Sequence, residues 1–327
     1  MTRPESMHSL LPISPHTPWL APLAGFSDLP FRLLCREQGC TVACTEMVSA
    51  KGLIYKNAAT ERILASHPAD TPLVVQVYGP EARTIGQAMD LLLDRGACFF
   101  DLNAGCSVPK VTKTGSGAAL LRDPATLLQI VETMVAKAGA GRVGVKLRLG
   151  WRPGEELLPD LARRLEDLGV GWLTLHPRWA MQGFSGQANW KRLARLREQI
   201  TVPIIASGDL FTAEDAHRCL EQTGVTGVMF ARGALWDPAI FRKFSAGQSE
   251  AGIDYCTPTF CLGIVRRHME LARTHQDDRR ALLTMRTIAP RYLRRFTGAK
   301  ALRTQLTRIE SWAQLEALLD NLLDELS

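Results

Sequence analysis

Long apolar runs are missing from this chain. No stretch approaches the ~18–20 consecutive apolar residues that a bilayer-spanning helix needs, so no membrane association is expected. The opening MTRPESMHSLLPISPHTPWL has no apolar core followed by a small-residue cleavage site, which argues against secretion. A second methionine at position 7 offers another start. Cysteine pairs are missing too. The eight cysteines stand at 35, 40, 44, 98, 106, 219, 256 and 261, with no CxxC and no Cys/His set at zinc-finger spacing. A reduced, cytoplasmic protein without a bound metal is the simplest reading. No GxGxxG follows an apolar run, which removes the usual signature of a doubly wound dinucleotide fold. There is no low-complexity segment.

What is present is ordinary globular composition, 46% hydrophobic and 22% charged over 327 residues. That length suits one large domain and a smaller one. From Thr17 to about Phe244, short apolar runs alternate with amphipathic stretches. The runs are 19–25, 42–48, 73–79, 98–105, 142–150, 170–178, 202–209 and 225–233. Helical patterns fill the gaps, as at 81–96, 123–139 and 212–224. Asp123 and Thr212 read as N-caps, and Gly96, Gly139 and Gly224 as C-terminal stops. Eight strand–helix units predict an α/β fold, a (β/α)8 TIM barrel over 17–247. Residues 1–16 form an N-terminal extension. The alternation then ceases, and a smaller all-helical C-terminal domain is expected over 255–327.

Alternate residues of a strand face opposite sides. Near the strand ends one parity is polar: Gln76; Asp101 and Asn103; Lys146 and Arg148; Thr174, His176 and Arg178; Ser207 and Asp209. This set is expected to point into the barrel mouth, at the carboxyl end of the strands, where barrel active sites lie. Charge is uneven as well. Residues 266–308 hold twelve basic and three acidic residues, +9, against −3 for the rest of the chain. A solvated helical surface is the bland explanation; an RNA-binding module is the functional one.

Two segments carry chemistry. LAPLAGFSDLPFR (20–32) closes the first strand, with Ser27 or Asp28 as the next N-cap. Its small residues allow backbone to approach a flat ring. In DLNAGCSVPKVTKTGSGAALLRDP (101–124), Cys106 follows a strand end directly, with Lys110 and Lys113 close in sequence. That setting favours a reactive or proton-donating thiol. The other seven cysteines read as core fillers.

These segments, with TEMVSAKGL, VQVYG, VKLRLGW, LHPR, FSGQANW, SGDLFTAEDA and GVMFARGAL, resemble the tRNA-dihydrouridine synthase family in the family's own order over about 20–240. The helical tail resembles that family's RNA-binding domain more loosely. The resemblance implies FMN as cofactor and NADPH (or NADH) as reductant. Pro22, Leu23 and Ala24 would line the flavin ring, Gln76 would hydrogen-bond it, Asn103 would lie beside it, Lys146 would sit near its pyrimidine end, and His176 would contact it. Ser207, Gly208 and Asp209, with Ala231 and Arg232, would hold its phosphate. Reduced FMN would deliver hydride to C6 of a uridine in tRNA, and Cys106 would protonate C5. A thiol with a pKa near ~8.5 is mostly protonated at neutral pH and suits that task. Arg286, Arg291, Arg294 and Arg295 would bind the RNA, and a monomer without a stable protein partner is expected.

The chain departs from the family's usual pattern in three places. Ser107 stands where a proline is usual, Ser207 where an asparagine is usual, and Thr287 and Ile288 replace a basic pair in a helix that Pro290 should bend or interrupt. Two rival readings remain: a flavin-dependent reductase of small-molecule enes or pyrimidines on the same barrel, and an RNA-binding protein without catalysis.

Overall fold

The computed structural model describes residues 11–246, 257–294 and 299–326. Among these residues, nine parallel strands form the sheet: β1 (Trp19–Leu20), β2 (Val42–Cys44), β3 (Val48–Ser49), β4 (Leu73–Tyr78), β5 (Phe99–Ala104), β6 (Val143–Arg148), β7 (Trp172–His176), β8 (Ile204–Ala206) and β9 (Gly227–Phe230). β1 pairs with both β2 and β9, and β2 also pairs with β4, so the ring closes. β3 pairs with β4 further along. β2 and β3 are therefore two pieces of one barrel strand, which gives eight positions. The single run expected over 42–48 is broken at Thr45–Met47. The Thr45 hydroxyl turns back onto the Glu46 carbonyl at 2.7 Å, which takes the backbone out of the ladder.

The helices begin and end where local chemistry directs. Asp123 caps helix Pro124–Ala138 by accepting from the Thr126 N–H, and Thr212 caps Ala213–Thr223 by accepting from the Asp215 N–H. Gly96, Gly139 and Gly224 follow their helices with φ of 84°, 93° and 63°. Asp28, not Ser27, caps helix Leu29–Glu37. Ser27 instead closes the preceding turn by accepting from the Leu23 N–H at 2.8 Å.

Inside the barrel, the amino-terminal end is sealed by apolar side chains. Trp19 and Trp172 meet at 5.5 Å, packed with Val42, Val74, Phe99 and Ile205. Gly144 makes this possible, because a Cβ there would lie 2.0 Å from the Trp172 ring. Leu11, from the N-terminal extension, is buried in the same plug. Above it the interior turns polar, with Gln76, Asp101 and Thr174 buried.

Helices Pro258–His275, Asp278–Tyr292, Ala299–Leu306 and Trp312–Leu326 follow the barrel. The first packs on barrel helix Leu29–Glu37, through Phe31 against His268 and an ion pair of Arg267 with Glu37 at 2.7 Å. Pro290 lies within the second helix, which runs two residues past it before ending. No helix among the described residues is long and apolar enough to cross a membrane.

Candidate active site

A pocket opens at the carboxyl ends of the strands. One wall is Pro22, Leu23 and Ala24 from the turn after β1, with Met47 and Met229 beside it. The opposite lip carries Gly105, Cys106, Ser107 and Val108 from the loop after β5. Asn103, Lys146, Arg148 and His176 line the wall between, and Ser207, Gly208, Asp209, Ala231 and Arg232 complete the rim. The sequence-predicted residues Gln76, Asp101, Thr174 and Arg178 do not line the pocket; they are buried behind or beneath it.

Gln76 is enclosed because both ends of its amide are used. Its Nε2 donates to Asp101 Oδ2 at 2.7 Å, and its Oε1 accepts from Asn103 Nδ2 at 2.8 Å. Asn103 Oδ1 in turn accepts from the N–H groups of Cys106 at 2.9 Å and Gly105 at 3.2 Å. The cysteine loop is thus tied to the barrel interior. The cations that Cys106 feels across the pocket are Lys146 and Arg148. Lys110 and Lys113, close in sequence, are exposed and do not line the pocket. Gly117 supports the loop from behind: its φ is +63°, and a Cβ there would lie 2.7 Å from the Cys106 carbonyl.

The Lys146 side chain makes no hydrogen bond or ion pair within the described residues. Burial pushes its ammonium down, and the charge of Asp101 below resists that shift. Burial likewise pushes the Asp101 carboxyl up. His176 is held neutral, first by burial and then by Lys146, Arg148, Arg178 and Arg232. Its Nε2 lies 3.2 Å from Arg178 Nη1. A guanidinium can only donate, so Nε2 accepts and the ring proton sits on Nδ1.

Arg178, expected at the mouth, is instead buried, donating to both Asp209 oxygens at 2.8 and 2.7 Å and to the carbonyls of Ser185 and Gly186. Burial works against the Asp209 charge, but the bonds from Arg178 and the Ala188 N–H outweigh it and hold the carboxyl below its usual range. The Asp209 side chain is therefore committed, and what it offers a ligand is backbone. Gly208 and Asp209 have φ of 130° and 55°, a tight turn whose N–H groups meet no acceptor among the described residues. Arg232 lies over Phe184 at 4.7 Å and Phe211 at 4.8 Å, with a 3.3 Å contact to Asp209.

The predicted RNA-facing arginines lie away from this rim or bridge to it. Arg286 donates to the Thr307 carbonyl within its own helical region. Arg291 lies 4.8 Å over Phe26, in the turn after β1, and Arg294 3.7 Å over Trp236, the last residue of helix Arg232–Trp236. Arg295 lies outside the described residues. Of the seven cysteines read as core fillers, Cys35, Cys40, Cys44 and Cys219 are buried, Cys98 and Cys261 are only partly so, and Cys256 lies outside the described residues. Sequence reasoning missed Met47, Phe184, Phe211 and Met229 as pocket residues. Met229 shares strand parity with Ala231 and was legible; Met47 depends on the strand break, and Phe184 and Phe211 sit on loops without periodicity.

The family model for dihydrouridine synthase matches residues 19–327. A probable tRNA-dihydrouridine synthase 1 of Synechocystis is 36% identical over 305 residues, covering 92% of this chain and 84% of the relative. A probable tRNA-dihydrouridine synthase of Mycobacterium tuberculosis H37Rv is 34% identical, covering 93% and 81%. Among solved structures, an old yellow enzyme homologue from Zymomonas mobilis is 14% identical at a TM-score of 0.50, covering 72% of this chain and 89% of its own. A morphinone reductase in complex with tetrahydroNAD is 15% identical at 0.52, covering 72% and 88%. At such identities the two structures speak to the barrel fold alone.

Proposed function

The chain belongs to the dihydrouridine synthase family, and on that premise we propose that it reduces uridines of tRNA to 5,6-dihydrouridine, with FMN as resident cofactor and NADPH as reductant. The observation that carries the reading is the meeting of a thiol and a half-buried ammonium across one pocket, Cys106 on the lip and Lys146 within. Cys35, Cys40, Cys44, Cys98, Cys106 and Cys219 are free thiols, which suits a cytoplasmic enzyme.

The residues fit a flavin. Pro22–Ala24, Met47 and Met229 give a low apolar wall for a planar ring. Lys146 supplies a cation where a reduced ring gathers negative charge. The Gly208 turn offers backbone N–H groups to a phosphate, and Arg232 offers a guanidinium. Gly208 has no substitute in this role, since a Cβ would lie 2.6 Å from His176 Cδ2.

Reduced FMN, when bound, supplies two electrons and one hydrogen to C6 of the base. The protein's part is to hold the base and to complete the addition at C5. Cys106 donates that proton from the lip and is reprotonated from solvent. Asn103 fixes the loop that presents the thiol. Neutral His176 donates from Nδ1 without adding charge to a site already rich in cations. A stacked base cannot reach this depth, so the target uridine must be splayed out.

The test is to incubate tRNA lacking dihydrouridine with the purified protein, FMN and NADPH, and to measure dihydrouridine by mass spectrometry. Formation of the modified base is expected. Flavin reduction without it, together with turnover of a free enone or uracil, would replace this reading with the small-molecule reductase.

A further inference from the structure

A second groove opens beside the pocket. It runs between helix Trp190–Arg197 and helix Ala213–Thr223 and has a volume of about 1000 Å³, room for a nucleotide rather than a lone ion. Asp209 and Phe211 line both cavities, so the two are continuous across the turn after β8. Two further clefts, around Gln129 and around Leu196, share no residue with the pocket.

Lys191 and Arg195 stand one turn apart on the first helix, and Arg218 and Gln222 one turn apart on the second. Trp190 ties the groove to the pocket rim. Its Nε1 donates to the Gly208 carbonyl at 3.3 Å, and Arg218 lies 5.6 Å over its ring. The two carboxylates of the groove are committed. Asp209 is held by Arg178, and Asp215 accepts from Arg218 at 2.5 Å and from the N–H groups of Phe211 and Thr212 at 3.0 and 3.1 Å. The side chains of Lys191 and Arg195 are exposed and make no hydrogen bond or ion pair within the described residues. Arg195 acts on Glu156 through space, but that carboxylate is held by Arg192 at 2.6 Å. The groove thus combines an indole, a guanidinium stacked on it, and two uncommitted cations.

On the reading of the pocket as a flavin site reduced by a nicotinamide dinucleotide, we propose that this groove holds the adenosine half of that dinucleotide. Lys191 and Arg195 bind its 2′-phosphate, which makes NADPH rather than NADH the reductant. The donor must put its nicotinamide against the flavin ring. Its diphosphate then carries the adenosine away along a surface continuous with the pocket, and the groove is such a surface. A purine can stack on the plane of Trp190 or of Arg218. A phosphomonoester carries about two negative charges at neutral pH, and two cations one turn apart on one helix face can converge on a single such group. An RNA backbone calls instead for cations strung along a path.

The probe is 2′,5′-ADP, titrated by calorimetry into the purified holoprotein, with 5′-AMP as the analogue that lacks the 2′-phosphate. Wild type should bind 2′,5′-ADP about tenfold or more tighter than 5′-AMP, the scale of a charge-assisted contact. Replacing Lys191 and Arg195 together by Gln should abolish that preference and leave 5′-AMP affinity within about twofold. In flavin reduction followed without RNA, the double variant should raise the KM for NADPH about tenfold and that for NADH by less than about twofold. Equal binding of the two analogues by wild type overturns the proposal, as does a preference that survives the double substitution. A surviving preference with weakened RNA affinity would assign the groove to RNA. Both substituted side chains are exposed, so the fold does not depend on them. The titration needs no turnover, so a protein that makes no dihydrouridine still shows or lacks the preference. Failure of the flavin reading shows separately, as protein that takes up no FMN.

Discussion

Cys106 and Gly208 mark the two ends of what single residues do here. Cys106 brings one chemical step and little structure, as a half-buried thiol whose loop is fixed through backbone contacts. Cys106→Ala should therefore retain flavin and RNA binding and lose about 10²–10⁴-fold in turnover, the usual weight of a general acid. Stopped-flow reduction of the flavin by NADPH should be unchanged, and wild-type rates of RNA reduction in this variant would remove the acid role. Gly208 is the opposite case, pure geometry. Its φ of 130° is one that L side chains rarely adopt, and an added Cβ would press on the His176 ring at 2.6 Å. Gly208→Ala should weaken FMN binding by at least tenfold, since both the phosphate turn and the ring contact must shift, at a backbone cost on the order of 1–3 kcal/mol. A fluorescence titration with FMN checks this; unchanged affinity would mean the turn does not meet the cofactor.

Elements were the most legible level of this sequence. Each of the eight apolar runs contains a strand, and Asp123, Thr212 and three glycines bound their helices where cap chemistry says they should. The failures were those of long-range pairing. Nothing local reveals that Arg178 turns inward to grip Asp209, or that Gln76 spends its amide on Asp101 and Asn103; both look like mouth residues by parity. The break between β2 and β3 likewise depends on a neighbour, β4, whose Gln76 N–H donates to the Thr45 hydroxyl. Asp28 shows how far a cap can be shaped by tertiary surroundings. It caps helix Leu29–Glu37 and accepts from Gln276, at the end of helix Pro258–His275. Burial raises its pKa to about 6, with hydrogen bonds from Phe31 and Gln276 opposing and Glu46 adding to the rise. A carboxyl raised in the folded state binds protons that the unfolded chain has released. Its contribution is thus most favourable below about pH 4 and is lost as pH rises through about 6, on the order of 2–3 kcal/mol at 1.36 per unit. Asp28→Asn keeps a good cap and lets Gln276 turn its buried, unpartnered Oε1 toward an NH2. Thermal unfolding at pH 8 should show the variant more stable than wild type, with the gap closing toward pH 5. A gap that stays constant with pH would show that Asp28 is not the group responsible.

At the scale of the whole molecule, the question is what the positive tail does once its internal partners are counted. Part of the charge is already spent. Arg266 pairs with Asp320, Arg267 with Glu37 and Glu270, and Arg273 with Glu316. The guanidiniums of Arg291 and Arg294 lie over Phe26, in the turn after β1, and over Trp236, at the end of the helix Arg232–Trp236 that starts at the pocket rim. A cation over an aromatic face keeps its charge, so these two can hold the helical region against the barrel and still attract the phosphates of a bound RNA. The arginines held by carboxylates cannot release counterions to the same degree. Replacing Arg291 and Arg294 together by Gln should reduce the slope of log affinity against log salt by about 1.4–1.8, at 0.7–0.9 per phosphate contact. Replacing Arg266 and Arg273 by Gln should leave the slope nearly unchanged. The flavin spectrum and its reduction by NADPH should be the same in all of these variants, because the pocket is built from barrel residues. RNA titrations at several salt concentrations separate the two sets. Equal slopes for both would mean that the surface bridging barrel and helices is structural, and that RNA lies elsewhere on the molecule.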